Sequence, residues 1–132
     1  SSQTATRQGY AEQFEPSFVI CSNLKALCVN ILEPLRLHIG KPINVTSGYR
    51  CQRLNTRIKG AKKSQHVQGE AADIQIEGMT NAEIIAAIKL LQLPFDQLIE
   101  EFGQWVHVSY GPRNRRETFS ATKNSKNETI YS

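Results

Sequence analysis

The chain has 132 residues, 39% of them hydrophobic and 21% charged, with no repeat or low-complexity tract, which is the balance of an ordinary globular protein and enough for one compact domain rather than two. No stretch approaches the roughly 20 apolar residues that cross a bilayer. The N-terminal SSQTATRQGY has no hydrophobic segment after its arginine, so neither membrane insertion nor a visible signal peptide is expected. The net charge of +4 gathers in PRNRRETFSATKNSKN, where Arg113, Arg115, Arg116, Lys123 and Lys126 outnumber the acids. This stretch reads as part of a solvated basic tail over residues 112–132, with no nucleic-acid partner expected.

Residues 1–21 read as an N-terminal extension and 22–111 as the folded domain. From Ser22 or Asn23 the spacing of Leu24, Leu27, Cys28, Ile31, Leu32, Leu35 and Ile39 predicts the main core helix, closed by Gly40, with a kink near Glu33 because Pro34 lacks a backbone donor. The three cysteines, Cys21, Cys28 and Cys51, show no CxxC spacing and read as buried free thiols, with Cys28 in the core. Ile43 to Thr46 predicts a short strand running into a turn at Ser47 and Gly48. CQRLNTRIKGAKKSQHVQGE then reads as a long polar connection.

Ala71 to Ile76 alternate, with Ala72, Ile74 and Ile76 on a core face and Ala71, Asp73 and Gln75 on the other. Thr80 and Glu83 form a capping-box signature for a second helix whose apolar face is Ile84, Ile85, Ile88 and Leu91, and Pro94 ends it. DQLIEEFGQWVHVSYGP predicts a hairpin turning at Phe102 and Gly103, with Val106 and Val108 on one face and Trp105, His107 and Ser109 on the other. The expected fold is α+β: a small, mainly antiparallel sheet with helices packed on its apolar face and its polar face open.

On that polar face the alternation places Asp73 and His107 together, while the preceding loop delivers His66 and Gly69 lets that loop fold back closely. Two imidazoles and one carboxylate suit a single zinc ion, and three protein ligands leave a fourth position for water. The HExxH helix of the commonest zinc peptidases is absent.

SGYR (Ser47 to Arg50), Leu54-Asn55, SQHVQGEAAD (Ser64 to Asp73) and WVHVS (Trp105 to Ser109), in this order and at these separations, closely resemble the zinc D-Ala-D-Ala carboxypeptidase family. That family includes phage L-alanyl-D-glutamate endolysins and vancomycin-resistance D,D-dipeptidases, and hedgehog domains share its fold. The resemblance runs from about Asn23 to Ser109. It implies a peptidase that binds the stem peptide of peptidoglycan and acts at the bacterial cell wall or periplasm; a monomer is expected, although the sequence itself carries no signal of oligomeric state. His66, Asp73 and His107 match the zinc ligands. Arg50 matches a residue that binds substrate and steadies charge near the scissile carbonyl, a task suited to its fixed fork of donors. Ser64 matches a serine that contributes to substrate binding.

Several family members carry an acid three positions before the last histidine, where this chain has Gln104, which cannot take a proton. Glu101 is the expected general base: if Phe102 and Gly103 turn the chain, it ends one strand opposite Gln104, and its neighbour Glu100 faces away. A glutamate six residues before the last histidine also occurs in hedgehog domains. The alternative, which Gln104 favours, is a zinc-binding recognition module without catalysis on the same fold.

Overall fold

The computed structural model describes residues 17–57 and 64–132. The first helix starts earlier than its apolar stripe suggests. Ser17 caps α1 (Phe18–Leu27), its hydroxyl accepting from the Ile20 N–H at 3.3 Å. A π-helical turn (Cys28–Leu32) joins α1 directly to α2 (Glu33–Ile39), which Gly40 ends at φ 72°. The missing donor of Pro34 is thus absorbed by a wider turn just before it rather than by a break.

The same turn shifts the helix phase, so Leu27, Ile31 and Leu35 are the fully buried positions, and Cys28, like Cys21, is exposed. Of the three thiols, Cys51 alone is buried as expected. By length and hydropathy the continuous helix Phe18–Ile39 passes for a membrane span, with a mean hydropathy of 1.4. Its apolar seam is nevertheless packed into the core against the sheet.

After β1 (Asn44–Ser47), the segment read as a long connection contains two short helices, α3 (Gln52–Arg57) and α4 (Gln65–Gln68). Next come β2 (Ala71–Gln75), α5 (Asn81–Leu90), β3 (Gln97–Glu101), β4 (Trp105–Ser109), β5 (Glu117–Lys123) and β6 (Thr129–Tyr131). The capping box is formed: the Glu83 N–H donates to Thr80 Oγ1, and the Thr80 N–H donates to Glu83 Oε1. Strands β3 and β4 make the hairpin, with φ positive at both Phe102 and Gly103.

One six-stranded sheet results, in the order β1-β2-β4-β3-β5-β6, antiparallel except for the parallel pair β3–β5. Within the stretch expected to be a solvated tail, residues 117–123 and 129–131 therefore extend the sheet of the domain, while Arg113, Arg116, Lys123 and Lys126 stay exposed. The core lies between one sheet face (Ala72, Ile74, Leu98, Val106, Val108) and the helices that contribute Leu27, Ile31, Leu35, Ile84 and Ile88. The opposite face carries the candidate site.

Candidate metal centre

Asp73 and His107 are direct cross-strand partners on β2 and β4, two inner strands of the sheet. Their Cα positions are fixed by ladder bonds on both sides, and their neighbours Ile74, Val106 and Val108 are fully buried in the core. His66 comes over the same face on α4, whose single turn is bounded by two caps. Ser64 Oγ accepts from the His66 N–H at 3.2 Å, and Gly69 closes the turn at φ 74°.

Gly69 is needed twice over. Besides its left-handed φ, a Cβ there would lie 2.9 Å from the Ile20 carbonyl oxygen, so α4 packs against α1 at backbone contact.

Asp73 Oδ1 lies 3.2 Å from His66 Nε2 and 3.1 Å from His107 Nδ1, and the three ligand atoms lie within 4.8 Å of one another. Tetrahedral zinc with bonds of about 2.1 Å separates its donors by about 3.4 Å, close to the two observed spacings. All three residues are at most 8% exposed. Burial alone would push the Asp73 carboxyl up, but the His107 and His66 rings set against its Oδ1 outweigh it and hold the group well below the usual carboxylate range.

The tautomer of His66 follows from its other nitrogen. Nδ1 lies 2.7 Å from the Gly48 carbonyl oxygen, which can only accept, so Nδ1 carries the proton. In neutral His66 the Nε2 lone pair then faces a carboxylate oxygen at 3.2 Å. Two acceptors at that distance repel unless a proton or a metal cation lies between them, so the donor set fits zinc. A bulge between Val45 and Ser47 sets Ser47 opposite Asp73 and brings Gly48 to this position.

The Arg50 N–H donates to the His66 carbonyl at 3.0 Å, and Arg50 Nη2 donates to Ser64 Oγ at 3.2 Å, so both expected substrate-binding residues are joined to the turn bearing His66. Burial lowers the Arg50 pKa, while the charges of Asp73 and Glu101 oppose that shift. Among the described residues, Arg50 Nε is a buried donor with no partner.

Glu101 lies on the metal face, paired with Trp105 rather than with Gln104 as expected, and its Oε1 accepts from the Trp105 indole N–H at 2.8 Å. Gln104 occupies the turn with its side chain exposed, its N–H bonded to the Glu101 carbonyl and its own carbonyl accepting from Gln75.

Sequence reasoning gave no role to Gly48, Trp105 or Gln65. For Trp105 the signal was present, since the alternation of WVHVS puts it on the face of His107. For Gly48 there was none beyond the turn itself.

A family model described as Peptidase M15 matches residues 1–109, which span every one of these site residues and end at the last residue of β4. No curated protein matches the chain.

Proposed function

Because the chain belongs to the peptidase M15 family, we propose that it is a zinc metallopeptidase cutting stem peptides of bacterial peptidoglycan, as a D-Ala-D-Ala carboxypeptidase or an L-Ala-D-Glu endopeptidase. It would work at the cell wall or in the periplasm. The observation that carries this reading is the apposition of His66 Nε2 and Asp73 Oδ1, two acceptors that a cation reconciles, with His107 Nδ1 completing the set. His66, Asp73 and His107 would hold one zinc ion. When bound, zinc supplies Lewis acidity to the scissile carbonyl and brings a water's pKa toward neutrality.

The chain's own residues account for the remaining steps. Trp105 fixes Glu101 through Oε1, which leaves Oε2 to take the proton of the attacking water and return it to the leaving amine nitrogen. Arg50, steadied at Nη2 by Ser64, turns its Nε, which has no partner among the described residues, to a carboxylate or carbonyl oxygen of the substrate. The Gly48 carbonyl keeps His66 in the tautomer that presents Nε2.

The rival reading, a zinc-binding module without catalysis, draws on Gln104. The exposed position of that side chain favours assigning the base to Glu101 instead.

Incubation of zinc-loaded protein with purified peptidoglycan and short stem peptides, read by mass spectrometry, tests the proposal. Free D-alanine, or cleavage after L-alanine, is the expected product. Stoichiometric zinc with no product from either substrate would leave only the binding module.

A further inference from the structure

The turn that carries His66 cannot hold itself. Four residues are too few for a helix to persist on its own hydrogen bonds, because nucleation costs more than one turn returns. Its position therefore depends on anchors. On the α1 side, Asn23 Nδ2 donates to the Gln68 carbonyl at 2.8 Å. Besides the Arg50 bonds to His66 and Ser64, a further anchor is the side chain of Gln65, the residue before His66, whose Nε2 donates to Asp96 Oδ2 at 2.8 Å and lies 3.4 Å from Glu70 Oε1.

Asp96 is completely buried, and a lone carboxylate there would be costly. Arg115 compensates it. The Arg115 backbone N–H and Nε donate to Oδ1 at 2.7 and 3.0 Å, and Nη2 donates to Oδ2 at 2.7 Å, a two-toothed pairing that fixes the plane of the carboxylate. The backbone of Asp96 is held as well, between the Ser109 carbonyl and the Glu117 N–H. A chain of charge-assisted bonds therefore runs from Arg115, in the segment entering β5, through Asp96 and Gln65 to the residue next to His66.

We propose that Arg115 is a positioning residue for the metal centre: through Asp96 and Gln65 it fixes α4 so that His66 Nε2 meets Asp73. Arg115 lies outside the matched residues 1–109, so the last anchor of the site comes from chain beyond them. The inference rests on the reading of His66 as a zinc ligand and adds the device that places it. Bonds behind a ligand commonly change metal affinity by about 10–100-fold, and a more remote anchor belongs at the lower end of that range.

The test is zinc affinity of the purified full chain by competition with a chromogenic chelator, at a temperature where every variant is folded. Arg115→Met and Gln65→Met are each expected to raise the zinc Kd roughly tenfold. Arg113→Ala, at an exposed neighbour, should stay within twofold of the parent. Gln65→Met leaves the Asp96–Arg115 pair intact, so it decides the matter if Arg115→Met does not fold. Loss of stability alone does not change the affinity of the folded protein, so a raised Kd in Gln65→Met with an unchanged melting temperature of the zinc-free chain marks positioning. Zinc binding within twofold of the parent in every folded variant overturns the inference alone, whereas a parent that binds no zinc overturns the metal reading and this inference with it.

Discussion

Glu101→Gln separates the chemistry from the structure that supports it. The glutamine keeps an oxygen where Trp105 Nε1 now donates at 2.8 Å, and it lies on a strand whose ladder bonds to β4 and β5 do not involve the side chain. Fold, zinc content and the Trp105 contact should therefore survive. What disappears is the capacity of Oε2 to take a proton. A positioned base contributes about 10²–10⁴ in rate, so kcat should fall by about that factor, on the order of 3–5 kcal/mol on the barrier. KM should change less, by the few-fold expected from removing one of the two negative charges that act on Arg50.

The assay is steady-state hydrolysis of a stem peptide with zinc measured in the same samples. Trp105→Phe, which removes the donor and leaves the carboxylate, should lose about tenfold, and adding it to Glu101→Gln should cost little more because both act through one group. If zinc-replete Glu101→Gln keeps more than a tenth of the parental kcat, Glu101 is not the base and the proton path is wrong.

Gly69→Ala should be among the most damaging small substitutions. The left-handed φ costs about 1–2 kcal/mol and the 2.9 Å approach to the Ile20 carbonyl a similar amount, so thermal unfolding should begin roughly 10 °C lower; a shift under 2 °C would refute the packing described. Arg50→Met should reduce kcat/KM by about 10–100-fold, the value of a charged hydrogen bond, with zinc content unchanged; equal activity would remove Arg50 from substrate binding.

Acid should also weaken the fold through Asp96. Hydrogen bonds from Arg115 outweigh the effect of burial and hold its pKa at about 2, below the ordinary 3.8. The resulting stability, on the order of 2 kcal/mol, is full above the unfolded pKa and is lost as pH falls through 2. Chemical unfolding at pH 6 and pH 2 should show the parent losing about that much more than Asp96→Asn, and equal losses would count against the buried pair.

The site was legible where strands impose strict alternation. Asp73 and His107 each stand between buried apolar residues, so the period of two alone assigns their face, and SQHVQGEAAD supplies His66 and Gly69 at fixed offsets. Helix phase was less legible. The first turn of α1 exposes Phe18 and Val19, so the apolar stripe begins after the helix does, and the π turn moves Cys28 out of the core by an extra residue that no propensity signals.

α3 was hidden because, of its six polar-rich residues, Leu54 is the apolar one it buries, and α4 because one capped turn looks like a loop. The last strands were hidden for a different reason. In ETFSATK the inward residues are Phe119 and Ala121 between polar positions, and the parallel pairing of β5 with β3 leaves no local mark. Arg115 accordingly looked like surface charge, although its partner Asp96 lies 19 residues away in a buried position.

The central claim, one zinc ion held by three named atoms, is tested most directly by crystals of the zinc-loaded protein with diffraction recorded on both sides of the zinc absorption edge. A single anomalous peak about 2.1 Å from His66 Nε2, Asp73 Oδ1 and His107 Nδ1 is the predicted result. No peak, or a peak that excludes any one of these three residues, would contradict it.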